Sequence, residues 1–219
     1  MTRTLLVSLT ALLVLPSAAS AATATADVNR RQGTTFGPVT FKAARGEVNE
    51  VTVSTANGRL RFHDDRNRVR AKGDCDQVNA STVICPFTED IAKVKLGNRG
   101  DSASAENLVE VLGGAGPDGL RGSKGVDMLD GQAGHDTIRG GAGNDKLTGG
   151  NGRDDVGGGR GDDDLIDGET DANAVRDVYR GGSSRDTAGS DRGDQIFYTK
   201  RDRGLDIDFL RARIMKGAE

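Results

Sequence analysis

Between residues 113 and 166 an aspartate recurs at every ninth position: Asp118, Asp127, Asp136, Asp145, Asp154 and Asp163. The stretch divides into GGAGPDGLR, GSKGVDMLD, GQAGHDTIR, GGAGNDKLT, GGNGRDDVG and GGRGDDDLI. Positions one and four of each unit are Gly, position six is Asp and position eight is aliphatic: Leu120, Leu129, Ile138, Leu147, Val156 and Leu165. Equal spacing puts the carboxylates at the same corner of successive turns. Stacked one strand spacing apart, roughly 4.7–4.9 Å, they repel each other unless a cation lies between them. A hard cation with oxygen ligands resolves that repulsion. Ca2+ suits the pattern best, because it takes six to eight oxygens in flexible geometry, main-chain carbonyls included, and glycine-rich turns offer such carbonyls.

The other positions of the unit supply the means of placing the carboxylates. Glycines allow the first six residues to form a tight turn. The last three residues form a very short strand with the position-eight side chain pointing inward. One such unit cannot bury its own apolar side chain, whereas stacked units can, so the repeat reads as a solenoid. A flexible Gly/Asp-rich linker is the competing reading, but a linker has no reason to place Leu, Ile or Val at every ninth residue.

The pattern GGxGxDxUx, with U a large aliphatic, resembles the RTX, or haemolysin-type, calcium-binding nonapeptide repeat. The resemblance covers residues 113–166 closely and extends more loosely to about 196. It implies an all-β fold built on a right-handed parallel β-roll, with successive units on opposite sides and calcium between units n and n+2. Asp118, Asp136 and Asp154 would then line one side, and Asp127, Asp145 and Asp163 the other. Ser123 and Gln132 replace the second glycine, and position five includes Pro117, Val126 and Arg153. Arg153 would bring a positive charge near a cation site. Beyond 166 the register breaks and resumes: Asp177 follows Asp163 by one unit plus five residues, Asp186 comes nine later and Asp194 eight later. Asp177 and Asp186 are further candidate ligands, with Asp194 beyond them. Asp101, in Gly97-Asn98-Arg99-Gly100-Asp101, is a candidate for a first, imperfect site on a wider coil.

Five segments follow from the chain read in order. Residues 1–21 read as a secretory signal: Arg3, an apolar run from Leu5 to Leu15, then Ala19-Ser20-Ala21 as a small-x-small cleavage site. The apolar run is too short to span a bilayer comfortably, and a soluble, secreted mature protein is expected. An N-terminal signal departs from many RTX toxins and is more similar to small secreted actinobacterial calcium-binding proteins. Residues 22–35 read as a flexible N-terminus. Residues 36–96 read as a β-rich region. Val39-Thr40-Phe41, Val51-Thr52-Val53, Leu60-Arg61-Phe62 and Ala92-Lys93-Val94-Lys95-Leu96 look like its strands, and Asn57-Gly58 like a hairpin turn. The roll occupies 97–196. Residues 197–219 are assigned to a C-terminal cap over the last apolar layer, with a short helix from about Asp208 to Lys216.

Cys75 and Cys85 are the only cysteines, and in an exported chain they are expected to form a disulfide. A redox or metal pair is the alternative, but the spacing is not CxxC and no His lies near in sequence. His63-Asp64-Asp65 could be a metal or acid–base site, although an isolated His reads better as a surface turn. No HExxH, no GxSxG, no Cys–His pair and no EF-hand loop is present, so catalysis is not expected. Residues 113–196 carry 17 Asp/Glu against 10 Lys/Arg, and residues 1–112 carry 12 against 14, so acidity gathers where cations are expected. No basic patch with interleaved aromatics supports nucleic-acid binding. The expected function is calcium binding by a secreted protein that folds on binding the ion. The alternative is an adhesion or recognition protein that uses the calcium-stabilised roll as a rigid spacer, with a cell-envelope or extracellular partner.

Overall fold

The computed structural model describes residues 21–26, 29–31, 34–88, 91–106, 109–168, 177–183, 195–198, 205–208 and 213–216. All regular structure among them is strand, as the period-two and period-nine patterns require. The N-terminal region contributes β1 (Ala22–Ala26), β2 (Asn29–Arg31), β3 (Thr34–Phe36), β4 (Val39–Lys42), β5 (Glu50–Ala56), β6 (Arg59–Asp64), β7 (Val69–Gly73), β8 (Asp76–Asn79) and β9 (Thr82–Pro86). Its pairings are mostly antiparallel, with β5–β6 joined through Asn57 and Gly58, both at positive φ. Cys75 and Cys85 are disulfide-bonded across the β8–β9 hairpin.

From β10 (Ala92–Asn98) onward the chain deals its strands alternately to two sheets. One receives β10, β12 (Val109–Ala115), β14 (Met128–Gly134), β16 (Lys146–Gly152), β18 (Asp164–Ile166), β20 (Gln195–Tyr198) and β22 (Arg213–Lys216). The other receives β11 (Ser102–Ala105), β13 (Gly119–Arg121), β15 (Thr137–Ala142), β17 (Asp155–Arg160), β19 (Asp177–Ser183) and β21 (Leu205–Asp208). Every neighbour pair in these series is parallel. This is the winding expected of a β-roll, in which two nonapeptides make one coil.

Position eight explains why the units stack. In the first sheet Val94, Val111, Leu129, Leu147, Leu165 and Ile196 stand in register, and in the second Val51, Ala103, Leu120, Ile138, Val156 and Tyr179 do. All are buried in one continuous core. Each Leu or Ile removed from water contributes roughly 1.5–3 kcal/mol, gained only when the next coil is in place. At the N-terminal end the Phe41 and Phe62 rings stack with centroids 6.0 Å apart. There β4 and β5 join β10 and β11 and close the apolar layer.

Three expectations change. Residues 22–35 do not form a loose segment throughout. Ala22–Ala26 is a strand between β4 and β7 with alternate alanines buried, because small residues at period two fit a crowded inner face. The C-terminal residues are not a helical cap where they are described. β21 and β22 continue the two sheets in parallel, since Leu205-Asp206-Ile207-Asp208 alternates at the strand period and Ile214 falls in register with Ile196. His63 is not on a turn. It lies in β6, where its Nδ1 shares a hydrogen bond with Thr82 Oγ1 at 2.8 Å and its Nε2 meets Asp65 Oδ1 at 3.0 Å. Residues 1–20, Asp186 and Asp194 lie outside the described residues.

Candidate metal centres

The position-six aspartates form two ladders. On one side the main-chain N–H of Asp101 donates to Asp118 Oδ1 at 2.8 Å, Asp118 to Asp136 at 2.8 Å, Asp136 to Asp154 at 2.9 Å and Asp154 to Asp177 at 2.7 Å. On the other side Asp127 donates to Asp145 at 2.8 Å and Asp145 to Asp163 at 2.9 Å. Asp118, Asp136, Asp154 and Asp177 on one side, and Asp145 and Asp163 on the other, thus each spend one oxygen on the turn one coil before. The two-sided arrangement implied by the repeat is realised, and Asp177 joins it despite the intervening insertion. All eight residues are almost wholly buried.

The second oxygen is the chemically available one. Oδ2 of Asp101, Asp118, Asp136, Asp145 and Asp154 is buried and accepts no hydrogen bond. A buried carboxylate oxygen left so is costly, and its neighbours above and below are also carboxylates. Burial pushes Asp118 and Asp154 up to about 7 and Asp145 up to about 6; the charges of adjacent aspartates add to this and main-chain N–H donation opposes it. Asp136 is raised for the same leading reason.

The position-one glycines show where these oxygens point. A Cβ placed on Gly113 would stand 2.5 Å from Asp118 Oδ2 and 2.8 Å from the carbonyl oxygen of Gly131, the position-one residue one coil on. The same pairing faces Gly131 (Asp136 and Gly149), Gly140 (Asp145 and Gly158), Gly158 (Asp163 and Gly181) and Gly122 (Asp127 Oδ2 and the Gly140 carbonyl), where Asp127 Oδ2 also accepts from the Ser123 N–H at 2.6 Å and hydroxyl at 3.0 Å. Each corner is therefore a cradle lined by one carboxylate and one main-chain carbonyl, kept open because position one lacks a side chain. These glycines have ordinary negative φ; the left-handed glycines are at positions two and four, as at Gly114 and Gly116. Among the described residues no three His, Cys, Asp or Glu side chains converge on one point. A cation here would take most of its ligands from carbonyls, which suits calcium and not a thiolate- or imidazole-seeking metal. The oxygens present fit a hard cation.

Sequence reasoning missed how the ladder ends. At the N-terminal end Leu96 falls opposite Gly113, so Asp101 has a buried leucine where the other corners have glycine. The Asn49 side-chain amide donates instead to Asp101 Oδ1 at 3.0 Å and to the Leu96 carbonyl at 3.5 Å. At the other end the Tyr179 hydroxyl enters the corner of Gly149. It stands 2.5 Å from where a Cβ would be, beside Asp154 Oδ2 at 2.7 Å, and 3.4 Å from Asp167 Oδ1. Asp167 falls opposite Gly149, at position one of the coil that ends in Asp177. The only advance signal was that Leu96 and Asp167 break the glycine column. Arg153 does not reach a corner. It is exposed, and its main-chain N–H donates to His135 Nδ1 at 2.9 Å, as Asp162 donates to Asn144 Oδ1 at 3.1 Å. Position-five side chains thus tie successive coils together outside the corners. Asp64 is structural: its Oδ1 accepts from the main-chain N–H groups of Glu50, Arg66 and Asn67.

Residues 110–138 and 130–165 match the family model of the RTX calcium-binding nonapeptide repeat, in four copies. This segment therefore carries RTX calcium-binding repeats, and calcium is the ligand such repeats point to. No curated protein and no solved structure matches the chain. No helix among the described residues is long and apolar enough to cross a membrane.

Proposed function

We propose that this is a secreted calcium-binding protein whose roll folds as the ions bind. The observation that carries the reading is the column of open cradles at Gly113, Gly131 and Gly140, each pairing a buried Asp Oδ2 with a glycine carbonyl from the next coil. Asp118, Asp127, Asp136, Asp145 and Asp163 would hold the ions together with the position-one carbonyls of adjacent coils. Asp154 and Asp177 belong to the more crowded corner next to Tyr179, and Asp186 is a candidate from its spacing alone. Bound calcium supplies charge compensation between carboxylates that otherwise cannot all ionise. The chain's own contribution is to aim one oxygen at each cradle while the other fastens the neighbouring turn.

Export fits this role. The disulfide suits an oxidising compartment, and residues 1–21 have the form of a secretory signal. Sites with dissociation constants of roughly 10⁻⁴–10⁻³ M are the extracellular class. They would stay empty in the cytosol and fill outside, so folding would be deferred until after export. The role proposed is one of binding. Calcium titration by calorimetry, with circular dichroism on the same samples, tests the reading. Several ions should bind, with β-structure appearing as they do. A roll fully formed in excess chelator at neutral pH, or no binding up to about 10 mM, well above the weak extracellular range, would overturn it.

A further inference from the structure

The outer face of the second sheet carries a row of polar side chains that the corner sites do not use. In register across the strands, His63 stands beside Thr52, Thr52 beside Ser104, Ser104 beside Arg121, Arg121 beside Arg139, Arg139 beside Gly157 and Gly157 beside Arg180. Six strand steps make the row roughly 29 Å long. The flanking residues Val51, Val53, Ala103, Leu120, Ile138, Val156 and Tyr179 are buried, so the row faces away from the core. It contains no acidic and no large apolar residue. Hydroxyls and an imidazole occupy one half, and three arginines the other.

The arginine half is built in place. Arg139 lies across Gly157, where a Cβ would come within 3.3 Å of its Cδ. Its Nη1 donates to the carbonyls of Ile138 at 2.9 Å and Asp155 at 2.8 Å, and its Nη2 pairs with Asp155 Oδ2 at 3.1 Å. Arg180 pairs with the other oxygen of Asp155. Two guanidinium groups thus share one carboxylate, and Arg121 joins them in lining a shallow depression of about 400 Å³ floored by Gly157 and Gly159, where three arginines leave a net positive charge. Guanidinium forks match planar oxyanions, and hydroxyls match the hydroxyls of a sugar. Among the described residues lining the depression there is no aromatic side chain on which a nucleobase could stack.

The geometry points to a binding face for an acidic polysaccharide laid across the strands, with its carboxylate or sulfate groups on Arg121, Arg139 and Arg180 and its hydroxyls toward Ser104 and Thr52. The proposal rests on the calcium-dependent fold. Thr52 and His63 belong to the N-terminal region and the arginines to the roll, so the row becomes continuous only when the coils are in register. Calcium also compensates the corner carboxylates, leaving Asp155 as the carboxylate set against the three arginines of the row.

The test measures binding of dextran sulfate, unsubstituted dextran and duplex DNA to the protein by calorimetry, in millimolar calcium and in chelator. Circular dichroism follows folding in the same samples. Dextran sulfate should bind in calcium only, and unsubstituted dextran should not bind. R121Q/R180Q should weaken dextran sulfate binding about tenfold or more, the loss of one charge-assisted hydrogen bond or more. R121K/R180K, which keeps the charge and loses the fork, should also weaken it while leaving the calcium response of the dichroism intact. Wild-type affinity in R121Q/R180Q would overturn the assignment of the row. Equal affinity for duplex DNA would overturn polysaccharide recognition in favour of general polyanion attraction. A calcium-folded protein that ignores dextran sulfate would refute the binding face and leave the calcium reading standing. Dichroism silent to calcium would remove the calcium reading, and this proposal with it.

Discussion

Replacing Gly113 by Ala tests whether position one holds a cradle open. The added methyl would sit 2.5 Å from Asp118 Oδ2 and 2.8 Å from the Gly131 carbonyl oxygen, inside contact distance of both. Gly119→Ala, six residues on, is the matched control. A Cβ there would have Ser102 Cβ as its nearest neighbour, at 3.8 Å, an ordinary contact, and neither glycine has positive φ. An ion bound only by the folded state adds RT ln(1 + [Ca2+]/Kd) to stability, so each saturated site steepens the dependence by about 1.4 kcal/mol per tenfold rise in calcium. For a dissociation constant of roughly 0.1–1 mM, losing one site costs about 1.4–2.7 kcal/mol at 10 mM calcium. Urea unfolding at several calcium concentrations should therefore give Gly113→Ala a slope shallower by about 1.4 kcal/mol per decade, with one ion fewer by calorimetry. Gly119→Ala should keep the wild-type slope. Equal slopes and equal stoichiometry in the two variants would refute the cradle, whatever the absolute stabilities.

The raised carboxylates fix the direction of a pH effect in metal-free protein. Asp118 and Asp154 stand at about 7 and Asp145 at about 6 in the folded chain, above their unfolded values near 3.9. Their cost to the folded state begins as pH rises past about 4 and is complete above about 7. Calcium-free protein should therefore hold more β-structure at pH 5 than at pH 7.5, and calcium should abolish the difference; a metal-free dichroism titration checks this. Terbium offers a second probe, because the chain has no Trp and only two Tyr. Tyrosine-sensitised emission should fall sharply in Tyr179→Phe, whose hydroxyl stands at the Gly149 corner. The Cys75→Ser/Cys85→Ser variant should lose about 3 kcal/mol, the value for a loop of this length. Its calcium slope should remain unchanged, because the disulfide closes a hairpin away from the cradles.

Much of this fold was legible because one rule repeats. Once Asp and the position-eight aliphatics keep separate phases over six units, stacking and two-sided ladders follow, and a single-residue slip would have removed both. What the sequence hid depended on contacts across coils. Nothing local distinguishes the position-one glycines, which leave space, from those at positions two and four, which supply positive φ. The pairing of Asn49 with Asp101 spans 52 residues. The strand at Ala22–Ala26 was hidden because alanine has no strong strand preference; it forms because β4 and β7 offer it two edges. The C-terminal strands carried a period-two signal, but the end of the glycine pattern masked it, although parallel pairing continues without glycine turns.

On the calcium reading, the two ends of the ladder make glycine at position one, more than aspartate at position six, the residue that decides where a site can exist. Asp101 has what the proposed ligands Asp118, Asp136 and Asp145 have: burial, an Oδ2 without a hydrogen bond, and a place in the N–H ladder. It lacks the glycine, because Leu96 stands opposite Gly113. Leu96→Gly should consequently give two effects of opposite sign. Removing a fully buried leucine should cost at least the 2–5 kcal/mol typical of large-to-small core changes. Opening the corner between Asp101 Oδ2 and the Gly113 carbonyl should add one ion, steepening the calcium dependence by about 1.4 kcal/mol per decade. The Asn49 amide, now donating to Asp101 and to the carbonyl at position 96, must turn aside for the ion. Leu96→Gly/Asn49→Ala should therefore bind the added ion more tightly than Leu96→Gly alone. A destabilised variant with an unchanged calcium slope would mean that the corner needs more than space and a carboxylate, and the assignment of the cradles would fail with it.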